Sequence, residues 1–256
     1  MYKFETHAHT SEISGCGRLS AAQVLDLYKE KGFDGIVITD HYTENFFSGI
    51  KEQPWEEQIH AFLKGYYSAL ERGRAVGITV LPGTELRLKG CANEYLLYGM
   101  DIEKFIKLPH MYEYSIEQLR EVTKKHDITL FQAHPFRKNM IPISPELIDG
   151  VEVYNANLNH NSNNDKAEDY AVKNALLKLS GSDCHQAGEA GLGGHELTKR
   201  ITTTRELMDE IISGNAKMIK EGKTHMRQLK ELSFAKTPRQ ASPATPPQRG
   251  IHEDFP

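Results

Sequence analysis

The chain has 256 residues and a net charge of −4, with 26% charged and 39% hydrophobic residues. This length and balance suit one large α/β domain or two small ones, and they argue against a basic surface that holds nucleic acid regardless of sequence. Histidine is unusually frequent at 12, whereas Cys16, Cys91 and Cys184 form no CxxC pair, which argues against a disulfide framework or a thiolate zinc site.

Met1 to Thr6 alternates, with Tyr2 and Phe4 on one face, and predicts a short strand. It leads into Thr6-His7-Ala8-His9-Thr10. The stretch Ser11 to Leu19 is a loop carrying Gly15, Cys16, Gly17 and Arg18. Ser20 with Gln23 has capping-box spacing and opens a helix with Val24, Leu25, Leu27 and Tyr28 inward. Gly35 to Thr39 is an apolar strand that delivers Asp40-His41. Trp55 to Val76 has helical apolar spacing throughout and predicts one long helix. Ile78 to Pro82 is a strand ending in Gly83-Thr84-Glu85, and Tyr95 to Tyr98 is a fourth. Ser115 with Gln118 caps another helix. Ile128 to Gln132 is a strand ending in Ala133-His134-Pro135, and Gly150 to Tyr154 is a strand ending at Asn155. A helix is expected over about Lys166 to Lys178, before Gly181-Ser182-Asp183-Cys184-His185. Thr203 with Glu206 caps a last helix, Leu207 to Ser213. Residues 1–225 form the expected domain, and 226–256, rich in Pro, Ser and Thr, an expected disordered tail. No signal-like segment opens the sequence and no apolar run reaches membrane-spanning length, so a cytoplasmic location without a membrane partner is expected.

Strands alternating with helices predict a parallel sheet closed, or nearly closed, into a single TIM-like β/α barrel. Sites in such barrels lie at the C-terminal strand ends. The polar motifs fall there after nearly every strand, whereas a doubly wound sheet would gather them at one switch point.

Residues two apart on a strand share a face, so His7 and His9 can converge on one point. His41, Glu85, His134, Asp183 and His185 stand at later strand ends and can join them. Asp40 is a candidate to hold an imidazole N–H. Cys184, between Asp183 and His185, is read as packing. Arg18 and Arg137 are candidates to hold a phosphate, and His185 or His41 to protonate a leaving oxygen when not committed to metal. His160 and His195 are placed in loops near the same face. Five histidines, one Glu and one Asp are too many for a single four-coordinate ion. Two or three divalent ions fit, and the imidazole–carboxylate mixture favours Zn, Mn or Fe over Mg or Ca.

Taken together, the ordered series Thr6-His7-Ala8-His9-Thr10, Thr39-Asp40-His41, Gly83-Thr84-Glu85, Ala133-His134-Pro135, Gly150 to Asn155 and Gly181-Ser182-Asp183-Cys184-His185 resembles the PHP (polymerase and histidinol phosphatase) superfamily of metal-dependent phosphoesterases. Gly191-Leu192-Gly193-Gly194 fits the late glycine run of that family. The resemblance covers about residues 1–215 and implies a distorted (β/α)7 barrel. It implies one metal on His7, His9, Glu85 and Asp183, a second shared by Glu85 and His134, and a third on His41 and His185. Two family positions differ. The loop ligand after His9 has only Glu12 or Cys16 to replace it, and the histidine near the fourth strand is absent from Ala92-Asn93-Glu94-Tyr95-Leu96.

The expected activity is hydrolysis of a phosphomonoester, with a histidinol-phosphate-like molecule or a nucleotide as substrate. A nuclease acting on an oligonucleotide end is the alternative, as is a non-catalytic metal-binding interaction domain. An amidohydrolase would call for a strand-end lysine, and none is evident.

Overall fold

The computed structural model describes residues 1–221, so the Pro-rich stretch 226–256 lies outside the described residues. In chain order the elements are β1 (Tyr2–Ala8), α1 (Ala21–Glu30), β2 (Gly35–Ile38), β3 (His41–Tyr42), α2 (Glu44–Ser48), α3 (Trp55–Phe62), α4 (Lys64–Val76), β4 (Thr79–Arg87) and β5 (Glu94–Tyr98). They continue with α5 (Ile102–Lys107), α6 (Ile116–Lys125), β6 (Thr129–Gln132), β7 (Gly150–Asn155), α7 (Asn164–Lys173), β8 (Leu177–Gly181), β9 (Gly193–Leu197), α8 (Thr204–Ile212) and β10 (Lys217–Lys220). The three expected capping boxes, at Ser20, Ser115 and Thr203, each satisfy two helix-end N–H groups. The stretch expected as one helix over Trp55 to Val76 is two, because Leu63 leaves helical geometry at φ −81°, ψ 6°. Past that break Gly65 lies so close to Thr10 and Asp40 that a Cβ there would stand 2.2 Å from the Thr10 hydroxyl. The helix expected to reach Lys178 ends at Lys173, and Leu177 already belongs to β8.

One sheet runs in the order β10-β9-β1-β2-β4-β5-β6-β7-β8, with β3 beside β4. Its two flanks meet where Ala8 bridges Cys184 in parallel, with His9 N–H donating to the Cys184 carbonyl (3.1 Å) and Cys184 N–H to the His7 carbonyl (3.2 Å). The result is a distorted, nearly closed TIM-like barrel. The sheet is mixed, not wholly parallel as expected. β5 pairs antiparallel with both β4 and β6, because the short link Leu88–Asn93 permits a hairpin and no crossover. β9 and β10 also run antiparallel on the far side of β1.

The barrel interior changes character along its axis. Phe4, Val37, Leu81, Tyr98, Phe131 and Leu179 fill one end, where Leu207, Met208 and Ile211 of α8 pack against them. The other end carries the histidines and carboxylates. Outside, Ile36, Ile38 and Val80 pack against Val24, Leu25 and Tyr28 of α1 and Ala69 of α4.

β1 reaches both halves of the interior through an irregularity. Simple alternation would put Phe4 and His7 on opposite faces. The register of β1 on β2 shifts between Glu5 and Ala8, which puts both inside. The Glu5 carboxylate holds that shift. It accepts N–H bonds from Thr6, His7 and Ser182, each 2.9 Å, and the Tyr28 hydroxyl at 2.5 Å.

The late glycine run presses β9 onto the barrel. A Cβ on Gly193 would lie 2.3 Å from the Gly181 backbone, and Gly194 has φ +121° with the Phe4 carbonyl 2.5 Å from where its Cβ would be. Gly193→Ala should therefore lower stability by about 1–3 kcal/mol, read as the denaturant midpoint. An unchanged midpoint would mean that β9 does not need this contact.

Candidate metal centre

The barrel mouth is built by strand ends. β1 supplies His7 and His9 just past its end, β3 supplies His41, and β4 supplies Glu85. His134 follows β6 and Asp183 follows β8. His134 and Asp183 sit at φ +29° and +49°, a left-handed backbone that non-glycine residues seldom adopt and that concentrates at functional sites.

His7, His9 and Glu85 meet at one point, with Asp183 beside the two histidines. His7 Nε2 lies 3.1 Å from His9 Nε2, 3.4 Å from Glu85 Oε1 and 3.5 Å from Asp183 Oδ1. His9 Nε2 lies 3.4 Å from Glu85 Oε2 and 3.3 Å from Asp183 Oδ1. Ligands about 2.0–2.1 Å from a tetrahedral ion are separated by about 3.3 Å. The His7 and His9 nitrogens stand at about that spacing from each other, from Asp183 Oδ1, and from one Glu85 oxygen each, Oε1 for His7 and Oε2 for His9.

Hydrogen bonding fixes which nitrogens face inward. His7 Nδ1 donates to Glu152 Oε1 at 2.8 Å, which turns Nε2 towards His9. The His9 case runs through two residues. Burial lifts the Asp40 carboxyl to about 6 against hydrogen bonds from Thr10 and Ser14, so it is ionised at neutral pH and only accepts. The Ser14 hydroxyl donates to Asp40 Oδ1 at 2.7 Å and must therefore accept from His9 Nδ1 (3.2 Å) and His41 N–H (3.2 Å). His9 Nε2 then carries a lone pair. Burial would lower His7, but the Glu152, Asp183 and Glu85 charges hold it well above its ordinary value, so a proton on His7 Nε2 bridges the 3.1 Å to His9 Nε2 in the place a cation would take. Burial, with the neighbouring His185 and His41 charges, holds His9 well below its ordinary value, which keeps it a neutral ligand.

A second group adjoins the first. His134 Nε2 is 3.0 Å from Glu85 Oε1 and 3.6 Å from Glu94 Oε2, and His41 Nδ1 is 2.9 Å from Glu85 Oε2 and 3.7 Å from Glu94 Oε1. At 2.9 Å, His41 Nδ1 and Glu85 Oε2 still lack hydrogen-bonding geometry and are both buried without a partner. Orphaned atoms facing a common space fit a cation that both would bind. Burial would raise the Glu85 carboxyl, but His7 and His41 charge and the His134 hydrogen bond hold it well below its usual range.

Glu94 is the residue that the sequence did not single out. Its signal was the period-2 run Glu94, Leu96, Tyr98. Once β5 runs antiparallel, Leu96 faces Glu85 and the start of β5 lies at the mouth. Glu152 was likewise read only as a strand residue, yet it orients His7 and accepts His134 N–H at 3.1 Å.

Three expectations are corrected. Glu12 does not reach the cluster: both its carboxylate oxygens accept Ala21 N–H at 3.0 Å, held by the positive end of α1. Arg137 is not wholly free for a phosphate: its Nη2 donates to Asp183 Oδ2 at 2.6 Å and Asn155 Oδ1 at 2.9 Å, and only its other nitrogens remain. His195 is in no loop: it lies buried in β9, where both ring nitrogens lack a partner and burial lowers it to about 4. Arg18 and His160 line the cleft above the cluster, a cavity of about 520 Å³ that Arg87, Arg137, Asn157 and Asn159 also border. Cys184 is fully buried in the outer apolar layer. His185 donates Nδ1–H to the Asp183 carbonyl at 2.9 Å; burial would lower it, but the Cys16 hydrogen bond and the Asp183 charge raise it to about 9. The Cys16 thiol, which burial would raise, is drawn down to about 6 by hydrogen bonds with His185 and His41.

Ser14→Ala should weaken zinc binding about 10–100-fold while leaving the fold intact, as measured by competition with a chromophoric chelator. Unchanged affinity would show that the Asp40–Ser14 relay does not orient His9.

A PHP-associated family model matches residues 161–216, a segment that contains Asp183 and His185. No curated protein matches the sequence. Among solved structures, PsfC from Pseudomonas syringae is 18% identical, with 91% of this chain and 98% of that chain covered and a TM-score of 0.61. A two-domain protein from Bacteroides vulgatus, described as containing a PHP-like metal-dependent phosphoesterase, is 14% identical over 86% of this chain and 65% of its own, with a TM-score of 0.63. The lesion-specific endonuclease PfuEndoQ from Pyrococcus furiosus is 15% identical over 85% of this chain and 57% of its own, with a TM-score of 0.58. The chain thus spans just under two thirds of the Bacteroides protein and little more than half of the endonuclease. It carries a PHP-associated segment on a barrel whose fold is that of PHP-like proteins.

Proposed function

We propose that the protein is a metal-dependent hydrolase of phosphoric esters, acting on a small phosphomonoester. The observation that carries this reading is the meeting of His7, His9 and Glu85, with Asp183 Oδ1 beside both histidines, at the floor of an open cleft. His7, His9, Glu85 and Asp183 would hold one cation. Glu85, Glu94 and His134 would hold a second, and His41 with His185 a third. Zinc, manganese or iron suits these imidazole–carboxylate sets. Divalent cations there would supply an activated water at neutral pH and neutralise charge on phosphoryl oxygens.

The remaining work falls to the chain itself. Glu85 faces two cation positions, so it can set their separation. Arg137 is a positioning residue: it holds Asp183 Oδ2 and leaves Oδ1 turned towards His7 and His9. Arg18 is pinned at the rim by its N–H bond to the His185 carbonyl at 2.8 Å, and its exposed guanidinium can reach a phosphate in the cleft. A cavity of about 520 Å³ suits a nucleotide-sized or smaller ester.

A second reading, action at a nucleic-acid strand end, draws on the likeness to a lesion-specific endonuclease. The net charge of −4 gives it no broad basic track. The two readings part in a phosphate-release panel of sugar phosphates, nucleotides and end-labelled oligonucleotides. Release from small monoesters is expected. Cleavage confined to oligonucleotides would favour the second reading, and no release from any ester would sink both.

His9→Ala should lower phosphate release at least about a hundredfold. Full activity in that variant would place the chemistry elsewhere. Glu94→Ala should reduce bound metal by about one equivalent per chain, measured by elemental analysis, if Glu94 completes the second set. An unchanged metal count would remove Glu94 from it.

A further inference from the structure

A second cavity, of about 590 Å³, adjoins the cleft above the cluster and shares Gly15, Cys16, His41 and Arg87 with it. One of its walls is the start of α2, Thr43 to Phe46. The other is the end of β4 and the link after it, Arg87 to Cys91. Both walls are held in place. The Thr43 hydroxyl accepts Phe46 N–H at 3.4 Å, Lys89 N–H donates to the Tyr112 carbonyl at 2.7 Å, and Cys91 N–H to the Leu88 carbonyl at 3.1 Å. The Phe46 ring stands edge-on to Phe47 and Phe62, with centroids 5.2 and 5.7 Å away. Lys89 Nζ meets Glu44 Oε1 at 2.6 Å and ties the two walls together. Ile13, Phe46, Leu88 and Cys91 give the cavity apolar surface that is continuous with the large apolar cluster beneath it. Its charged side chains are matched in pairs, Lys89 with Glu44 and Arg87 with Glu94. A preformed cavity of apolar surface and balanced charge thus opens directly off a cleft dominated by imidazoles and carboxylates.

We infer that this second cavity receives the alcohol part of the ester, and that the part it takes is an uncharged, ring-bearing group. The inference rests on the proposed phosphoesterase reading and narrows its substrate class. A phosphoryl group held at the floor of the cleft leaves the rest of the molecule to cross the shared edge at His41 and Arg87. A ring laid against Phe46, Ile13 and Leu88 leaves water for apolar surface. A charged group there would be desolvated without a partner, because Lys89 and Glu44 already satisfy one another. Fixed walls keep the ordering cost of binding small. The volume is within the range that buries a small organic group.

Two esters with the same kind of leaving oxygen test this on the full chain loaded with zinc, manganese or iron: ethyl phosphate and 2-(1-naphthyl)ethyl phosphate. The naphthyl ester should show kcat/KM at least about tenfold higher, carried by a lower KM. Asn45 is exposed at the cavity wall, and Asn45→Trp, whose larger side chain fills the space, should bring the ratio of the two esters close to unity. Phe46→Ala, which removes a wall, should lower the same ratio. If Phe46→Ala does not fold, Asn45→Trp alone decides. Equal kcat/KM for the two esters in the native chain would overturn the second cavity as a subsite and leave the phosphoesterase reading standing. A naphthyl preference that survives Asn45→Trp would place the ring elsewhere and overturn it too. Hydrolysis of neither ester would overturn the phosphoesterase reading for small monoesters, and this subsite with it.

Discussion

Buried negative charge is the constraint on which the barrel mouth depends. Glu85, Glu94, Glu152 and Asp183 stand there with side chains no more than 4% exposed. Burying a carboxylate is costly unless positive charge or hydrogen bonds offset it. Glu152 is satisfied by three donors: His7 Nδ1–H, His134 N–H and the Asn155 amide. Arg137 offsets one oxygen of Asp183, and Arg87 pairs with Glu94. Glu85 has imidazoles alone around it, and one of its oxygens lacks a partner. The unbalanced carboxylate thus sits where two sets of candidate ligands meet, which is where cations would offset most.

That concentration of charge explains why the barrel has two unlike halves. Phe4, Val37, Leu81, Tyr98, Phe131 and Leu179 bury apolar area at one end, and α8 caps them. Such burial stabilises at about 25 cal/mol per Å² and asks for no particular geometry at the mouth. The mouth can then hold strained backbone at His134 and Asp183. Glu5 joins the halves. By holding the shift in β1 it lets one strand point Phe4 into the apolar end and His7 and His9 into the polar end.

Much of the residue cluster was legible in the sequence because it follows local periodicity. His7 and His9 are two apart on a strand, and the other candidates stand directly after apolar runs. The capping boxes were legible for the same reason, since donor and acceptor are three residues apart. What was not legible depends on contacts distant in sequence. Glu94 became interpretable only once β5 proved antiparallel, which reverses the end of the strand that faces the mouth. Glu12 has the right chemistry for a ligand, but α1 folds back so that its own N-terminus takes the carboxylate. Asp40 does orient an imidazole, as its position suggested, but through Ser14, and no spacing rule links residues 26 apart. The break at Leu63 was hidden because apolar spacing continues through it.

The two positions where the sequence departs from the PHP pattern turn out to lie on either side of one residue. His41 faces Glu94 through Nδ1, and Cys16 borders the same cleft as both. Glu94 stands where an imidazole is usual, and Cys16 lies in the loop where a His or Asp is usual. Each change leaves a side chain with a metal-binding atom at the position. Exchanging imidazole for carboxylate adds negative charge on one side of His41, and Arg87 lies close enough to offset part of it.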